Sequence, residues 1–218
     1  MRKIVTLLCL LALCDLGLSA QAGKSPRVVR TAQESPAHVP PEEAPVPLKI
    51  IYSNLGKSKT ALYTDNAGWG VNGPNSTYSE EFIAMPFTPK SNSHVSQVQV
   101  ALLYDSSGAN QVNLSIYSSS NGAPGTLLAG PVTVTNLPTY PNCCALAVAN
   151  FTPVAVTAGT QYFVTADTPT TGTGSDFSGN WEFVIATIPQ AANVPPFGWY
   201  GYNVGPEEAA GEVLGTIP

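Results

Sequence analysis

The chain has 218 residues, of which 44% are hydrophobic and only 11% are charged, and its formal net charge is −5. An ordinary globular domain carries about 25% charged residues, so Ser, Thr, Asn, Gln and Gly must cover much of this surface. Every Lys and Arg lies at or before Lys90. Because contact with phosphates requires a basic footprint, we expect no nucleic-acid partner.

Residues 1–22 predict a secretory signal peptide. Arg2 and Lys3 precede an apolar run at residues 4–13, and Ala-Gln-Ala at residues 20–22 is a small-x-small cleavage pattern. The apolar run is shorter than the roughly 20 residues that a membrane-spanning helix requires. We therefore expect an exported protein, secreted or held at the cell surface or in the periplasm, with no transmembrane segment in the mature chain.

Residues 23–47 differ in composition from the rest of the chain. They hold six prolines among scattered charges. Such a segment cannot bury enough apolar surface to order itself, so the sequence predicts a disordered Pro-rich linker.

Residues 48–205 predict one β-domain, with residues 206–218 as a C-terminal tail. The segment at residues 111–130 organises the domain: Val112, Leu114 and Ile116 alternate with polar residues, and a turn rich in Ser, Asn, Gly and Pro follows at residues 118–125. Residues 65–73 are predicted to be a loop, and residues 105–110 a turn. Further short strands are predicted at residues 50–52, 61–63, 80–87, 95–104, 132–137, 145–151, 161–166, 181–187 and 199–204.

The predicted fold class is all-β. No part of the mature sequence has apolar residues at the helical spacing i, i+3, i+4 and i+7 over a helix length. Many short strands with frequent turn signals favour a single β-sandwich of jelly-roll type.

The order of motifs resembles the choice-of-anchor R domain family. The resemblance covers roughly residues 63–205. It rests on FxxxPFTP at 82–89, VSQVQVALLY at 95–104, VNLSIYSSSNGAPGTLLAG at 112–130, CC at 143–144, VTAGTQYFVTA at 156–166 and a strand with Trp181. It implies an exported bacterial β-domain with no assigned enzymatic activity and no catalytic residue to transfer. Residues 206–218 do not match the C-terminal anchoring devices of that family.

The residues that could carry catalysis or bind a metal are few. Of the two histidines, His38 lies in the linker and His94 in a predicted turn, and the acidic pairs are sequence neighbours that point to opposite faces of a strand. We therefore expect no enzyme, no catalytic residue and no cofactor. A structural calcium ion is the alternative, held by acidic and amide side chains of predicted loops, although these residue types also favour turns: Asp65, Asn66, Asp105, Asp167 and Asp176.

Aromatic residues are the predicted ligand-binding residues. Aromatic faces rimmed by Asn, Gln and Asp hold sugar rings by apolar stacking and by hydrogen bonds to hydroxyls. The candidates are Trp69, Tyr140, Trp199, Tyr200 and Tyr202. Packing in the core is the competing use of these side chains.

Cys143 and Cys144 are the cysteines that remain after signal cleavage. In an oxidising compartment each is the other's intramolecular partner, so we predict a disulfide between them. Consecutive Cα atoms lie about 3.8 Å apart, closer than the about 4.4–6.8 Å of most disulfides, so this bond would be strained. Two free thiols, or bridges to a second copy, are the alternatives.

These features predict an exported, non-catalytic module that binds a surface or matrix, with polysaccharide as the candidate ligand. The first alternative is an extracellular protein that self-assembles by pairing its sheet edges. The second is a secreted hydrolase that uses Asp176 or Glu182.

Overall fold

The described part of the chain is all-β, as the sequence predicts. The computed structural model describes residues 47–55, 68–142, 145–185, 199–200 and 207–218, and no helix occurs in these ranges, so none there could cross a membrane. Outside them lie the predicted signal peptide, almost all of the linker, the predicted strand at 61–63, Tyr202, Cys143 and Cys144.

The strands are β1 (Lys49–Ser53), β2 (Gly68–Asn72), β3 (Phe82–Phe87), β4 (Ser93–Val100), β5 (Leu102–Ser107), β6 (Gln111–Ser120), β7 (Ala123–Thr135), β8 (Ala147–Val156), β9 (Tyr162–Asp167), β10 (Ser178–Ile185), β11 (Trp199–Tyr200), β12 (Glu207–Ala209) and β13 (Gly211–Thr216).

The described strands form three sheets. The first has the order β1-β13-β4-β8 and is antiparallel throughout. The second has the order β11-β3-β9-β6-β7 and is antiparallel except that β11 runs parallel to β3. In the third, β10 pairs antiparallel with β2, β5 and β12.

The larger of the two hydrophobic clusters formed by the described residues joins the three sheets. Val98 and Val213 of the first sheet, Leu114 and Val164 of the second and Trp181 of the third are fully buried in it. Successive side chains of a strand point to opposite faces, so alternate apolar residues of each strand line this core. The alternation seen at residues 111–117 is therefore the pattern that places β6 in the core.

The β6–β7 hairpin has a two-residue turn. Asn121 and Gly122 have φ values of 54° and 77°. Hairpin turns of this length need positive φ at both central positions, which Asn and Gly adopt at low cost. The predicted turn at residues 118–125 is thus correct in place but too long. The strand predicted at 132–137 is confirmed for residues 132–135, but it is the end of β7 and not a separate strand.

The strand predicted at residues 95–104 is interrupted at Ala101. Before Ala101 the chain belongs to the first sheet as β4, and after it the chain belongs to the third sheet as β5, which continues to Ser107 through part of the predicted turn. Three backbone hydrogen bonds close a ring at this point: Ala101 N–H to Ala210 O at 3.0 Å, Glu182 N–H to Ala101 O at 2.9 Å, and Ala210 N–H to Glu182 O at 2.7 Å. These bonds satisfy the buried peptide groups where two strands change sheets.

The residues predicted to be a C-terminal tail are part of the domain. They form β12 and β13, and β13 lies between β1 and β4 in the first sheet. Val213 is fully buried and Leu214 is 8% exposed. The predicted boundary at residue 205 is wrong, because a short segment rich in Gly and Glu becomes an internal strand once two neighbours supply its hydrogen bonds and cover its faces.

Candidate functional site

A polar groove of about 370 Å³ lies on the third sheet, on the face opposite to the core. Alternation along β2 and β10 creates it: Val71 and Trp181 are fully buried in the core, whereas Gly70 and Asn180, which are register partners, line the groove. The described residues that line this polar groove are Gly70, Asn72, Tyr78, Glu81, Asp105 and Asn180.

Each of the two carboxylates in the polar groove is oriented by an amide. Asn180 Nδ2 donates to Asp105 Oδ1 at 3.2 Å and to Oδ2 at 3.4 Å. Asn72 Nδ2 donates to Glu81 Oε2 at 3.2 Å, and Asn72 Oδ1 accepts a hydrogen bond from the Ser178 hydroxyl at 2.9 Å. These contacts fix the carboxylate and amide positions, an arrangement that would lower the entropy cost of binding a ligand.

Gly70 forms part of the groove wall because it lacks a side chain. A Cβ at this position would overlap the Glu81 carboxylate oxygen and approach Asn72 Nδ2 to 2.8 Å. The glycine therefore makes the space that the Glu81 carboxylate occupies. Burial raises the pKa of Asp105 above its ordinary value, since the charged form loses solvation.

Tyr78 stands at the rim of the polar groove. Its side chain is 61% exposed. The loop that carries it is held at its base, where Gly73 N–H donates to Phe177 O and Asn75 Nδ2 donates to Ser175 Oγ, both at 2.9 Å. An exposed ring on an anchored loop can stack on a flat ligand without ordering the whole loop.

The aromatic residues predicted from sequence are not gathered in this groove. Trp69 belongs to β2 and not to a loop as predicted; its ring lies 5.6 Å from that of Phe183 and packs against the core. Tyr140 is 50% exposed in a turn, where its N–H donates to Tyr104 O at 3.0 Å. Trp199 and Tyr200 form β11 beside β3, and their side chains are outside the described part of the structure, as is all of Tyr202.

The residues considered for calcium and for hydrolysis lie in different surroundings. Asp105 lines the polar groove, whereas Asp176 Oδ1 accepts the Ala109 N–H at 3.1 Å, which is turn chemistry. Glu182 is 1% exposed beside the ring of backbone bonds, and His94 is exposed on β4. Asp65 and Asn66 lie outside the described residues. Within the described ranges, no three His, Cys, Asp or Glu side chains are grouped so that they could hold a metal ion.

Asp167 is expected to make stability depend on pH. Burial raises the pKa of Asp167 from about 3.8 to about 6. The folded state therefore holds a proton that the unfolded chain loses, so this contribution is complete below pH 4 and is lost as the pH rises through 6. Asp167→Asn should raise the free energy of unfolding at pH 7.5 by about 1–3 kcal/mol and change it little at pH 4.

Urea unfolding of both proteins between pH 4 and 8 measures this effect. Glu80→Gln is the control, because Glu80 is exposed and the substitution removes the same charge. If the free energy of unfolding changes with pH in the same way for the wild-type protein and for Asp167→Asn from pH 4 to 8, burial does not raise the pKa of Asp167.

A second groove, of about 480 Å³, separates the edge strands β7 and β8. Among the described strands, β7 pairs only with β6, and β8 pairs only with β4. This edge groove is uncharged, because residues 106–166 contain no Asp, Glu, Lys, Arg or His. It is lined by Leu128, Ala129, Gly130, Pro131, Val132, Asn150, Phe151, Thr152, Pro153 and Val154.

Sequence reasoning missed the polar groove as a site. One signal was present: Ser178, Asn180 and Glu182 alternate with Gly179 and Trp181, which predicts a strand with a polar face. That face becomes a groove only because β2 and β5 flank β10, and neither pairing can be read from local sequence.

Comparisons with protein-family models, with curated proteins and with solved structures find no match to this chain. The resemblance to the choice-of-anchor R domain family therefore stays a prediction from the sequence motifs.

Proposed function

We propose that this chain is an exported, non-catalytic binding module of the β-sandwich, jelly-roll type, which holds polysaccharide in the polar groove. One observation carries the proposal: two amides and two carboxylates converge on a groove whose rim carries an exposed tyrosine. Sugar rings offer many hydroxyls and a flat apolar face, and this set of side chains complements both.

The signal-peptide pattern and the low charge of the chain support an extracellular or cell-surface location. A polysaccharide matrix is the kind of partner available there. The Pro-rich composition of residues 23–47 suits a spacer that holds the binding domain away from a surface.

The non-catalytic part of the proposal rests on where the acidic residues lie. Glu182 is buried and Asp176 is engaged with a turn, and neither of these residues considered for hydrolysis is among those that line the polar groove. Asp105 and Glu81 do line it, and they act there as hydrogen-bond acceptors. Turnover of a bound glycan that Asp105→Asn abolishes would contradict this part.

Tyr78→Ala tests the site itself. We expect a glycan array probed with the full chain to give bound polysaccharides, and Tyr78→Ala to weaken that binding about tenfold by removing the stacking surface. Tyr140→Ala is the matched control, because Tyr140 is also an exposed tyrosine but does not line the polar groove.

The two tyrosines also separate two hypotheses. Loss of binding in Tyr140→Ala with no change in Tyr78→Ala would favour the site predicted from sequence and contradict the groove. No binding to any glycan on the array would contradict the polysaccharide proposal as a whole.

A self-assembling extracellular protein is the second candidate, and the edge groove favours it. The two edge strands expose three apolar side chains: Leu127 (43%), Leu128 (37%) and Val148 (43%). Residues 106–166 contain no charged side chain that would disfavour pairing of these edges with another copy. Pro131 and Pro153 argue against self-assembly through these edges, because proline has no backbone N–H to donate to an added strand. Sedimentation at micromolar concentration distinguishes the candidates, since a binding module with protected edges stays monomeric.

A further inference from the structure

The side chains of the polar groove offer more hydrogen-bond acceptor sites than donors. An ionised carboxylate has about four lone-pair sites and no donor, whereas an amide group has two N–H donors. In the groove, Asn72 and Asn180 already donate to Glu81 and Asp105. Most acceptor sites on the two carboxylates thus remain for a ligand, whereas the remaining side-chain donors of the groove are the second N–H of each amide and the Tyr78 hydroxyl.

The charge of the polar groove also disfavours ligands that carry carboxylates. Glu81 and Asp105 bring negative charge, and no Lys or Arg is among the described residues that line it. Two like charges about 4–6 Å apart at a partly exposed site repel each other, and we expect this repulsion to weaken affinity by about tenfold. A ligand carboxylate would meet this repulsion and would also find few donors.

We propose that the polar groove selects polysaccharides whose groups donate hydrogen bonds, which are neutral or amine-bearing glycans, and rejects polyuronates. Hydroxyl and ammonium groups can donate to the free lone pairs of Glu81 and Asp105, whereas a uronate carboxylate can only accept. The inference rests on the proposed function and adds the chemical class of the ligand.

Three preparations test it with the full chain: the neutral polysaccharide that binds most strongly on the array, the same polysaccharide oxidised at C6 to the uronate, and chitosan. Calorimetry should show the uronate binding at least about tenfold more weakly than its neutral parent. Chitosan binding should weaken as salt is added, because salt screens the attraction between its ammonium groups and the carboxylates.

Charge-neutralising variants assign the effect to the groove. Glu81→Gln and Asp105→Asn should each improve uronate binding about tenfold and weaken chitosan binding, while neutral binding changes less. Glu80→Gln is the matched control, because it removes the same charge from the adjacent residue, which is exposed and does not line the groove. Far-UV circular dichroism confirms that the variants fold.

The outcomes separate this inference from the proposed function. A polyuronate as the strongest binder on the array, equal affinity for parent and uronate, or the same gain in Glu80→Gln as in Glu81→Gln would overturn the selectivity while leaving a glycan-binding module. Absence of binding to glycans of every class would overturn the proposed function and the selectivity together.

Discussion

Deletion of residues 207–218 is expected to prevent the domain from folding. The deletion removes β13 from between β1 and β4, and it removes buried side chains that include Val213 and Ala210. Loss of a single large core side chain costs about 2–5 kcal/mol, so losing several together with the three strand ladders that β12 and β13 form exceeds a typical domain stability of about 5–15 kcal/mol.

Far-UV circular dichroism and limited proteolysis of the truncated chain measure the result. Deletion of Pro218 alone is the control, because that residue is exposed at the end of the chain. A point variant of the full chain tests the same strand: Gly215→Ala would place a Cβ against the His94 carbonyl oxygen and should also destabilise strongly. If the truncated chain keeps the melting temperature of the full chain, residues 207–218 are not part of the folded domain and the predicted domain end at residue 205 is correct.

Trp181→Ala is expected to lower the free energy of unfolding by about 3–5 kcal/mol. Trp181 is fully buried on β10, where it lies between Trp69 of β2 and Leu102 of β5. Its Nε1 donates to Ala210 O at 2.9 Å and so connects the third sheet to the point where β12 leads into β13. The substitution leaves a cavity at a position that cannot collapse without moving three strands.

Trp181→Phe separates the contribution of the buried ring from that of its hydrogen bond to Ala210 O. Phenylalanine keeps most of the apolar volume and loses the N–H, and Ala210 O still accepts the Ala101 N–H. We therefore expect a smaller loss of about 1–2 kcal/mol. Urea unfolding gives both values from the midpoint at constant slope. A loss below about 1 kcal/mol in Trp181→Ala would show that β10 is not central to the core.

The candidate site was harder to predict than the fold class. The sequence predicts Asp105 as a loop residue that could ligate calcium, whereas in the structure it lies on β5 in the polar groove with Asn180 as its partner. The sequence predicts Trp69 as a sugar-binding residue in a loop, yet the alternation of β2 turns its ring toward the core. Tyr78 is not among the residues that the sequence predicts to bind a ligand, and the anchored loop between β2 and β3 places it at the groove rim.

The alternation of apolar and polar residues, the Asn121-Gly122 pair and the frequent turn residues were enough to predict an all-β chain and its central hairpin. These signals are local, because side-chain direction and turn conformation depend on neighbouring residues. Only the tertiary structure decided that the chain changes sheets at Ala101 and Ala210, that β13 is an internal strand, and that Asn72, Glu81, Asp105 and Asn180 meet in one groove. Strand pairing joins residues that are far apart in sequence, such as Gly70 and Asn180, and the free energy that selects these partners comes from burial and hydrogen bonds that exist only after the sheets have formed.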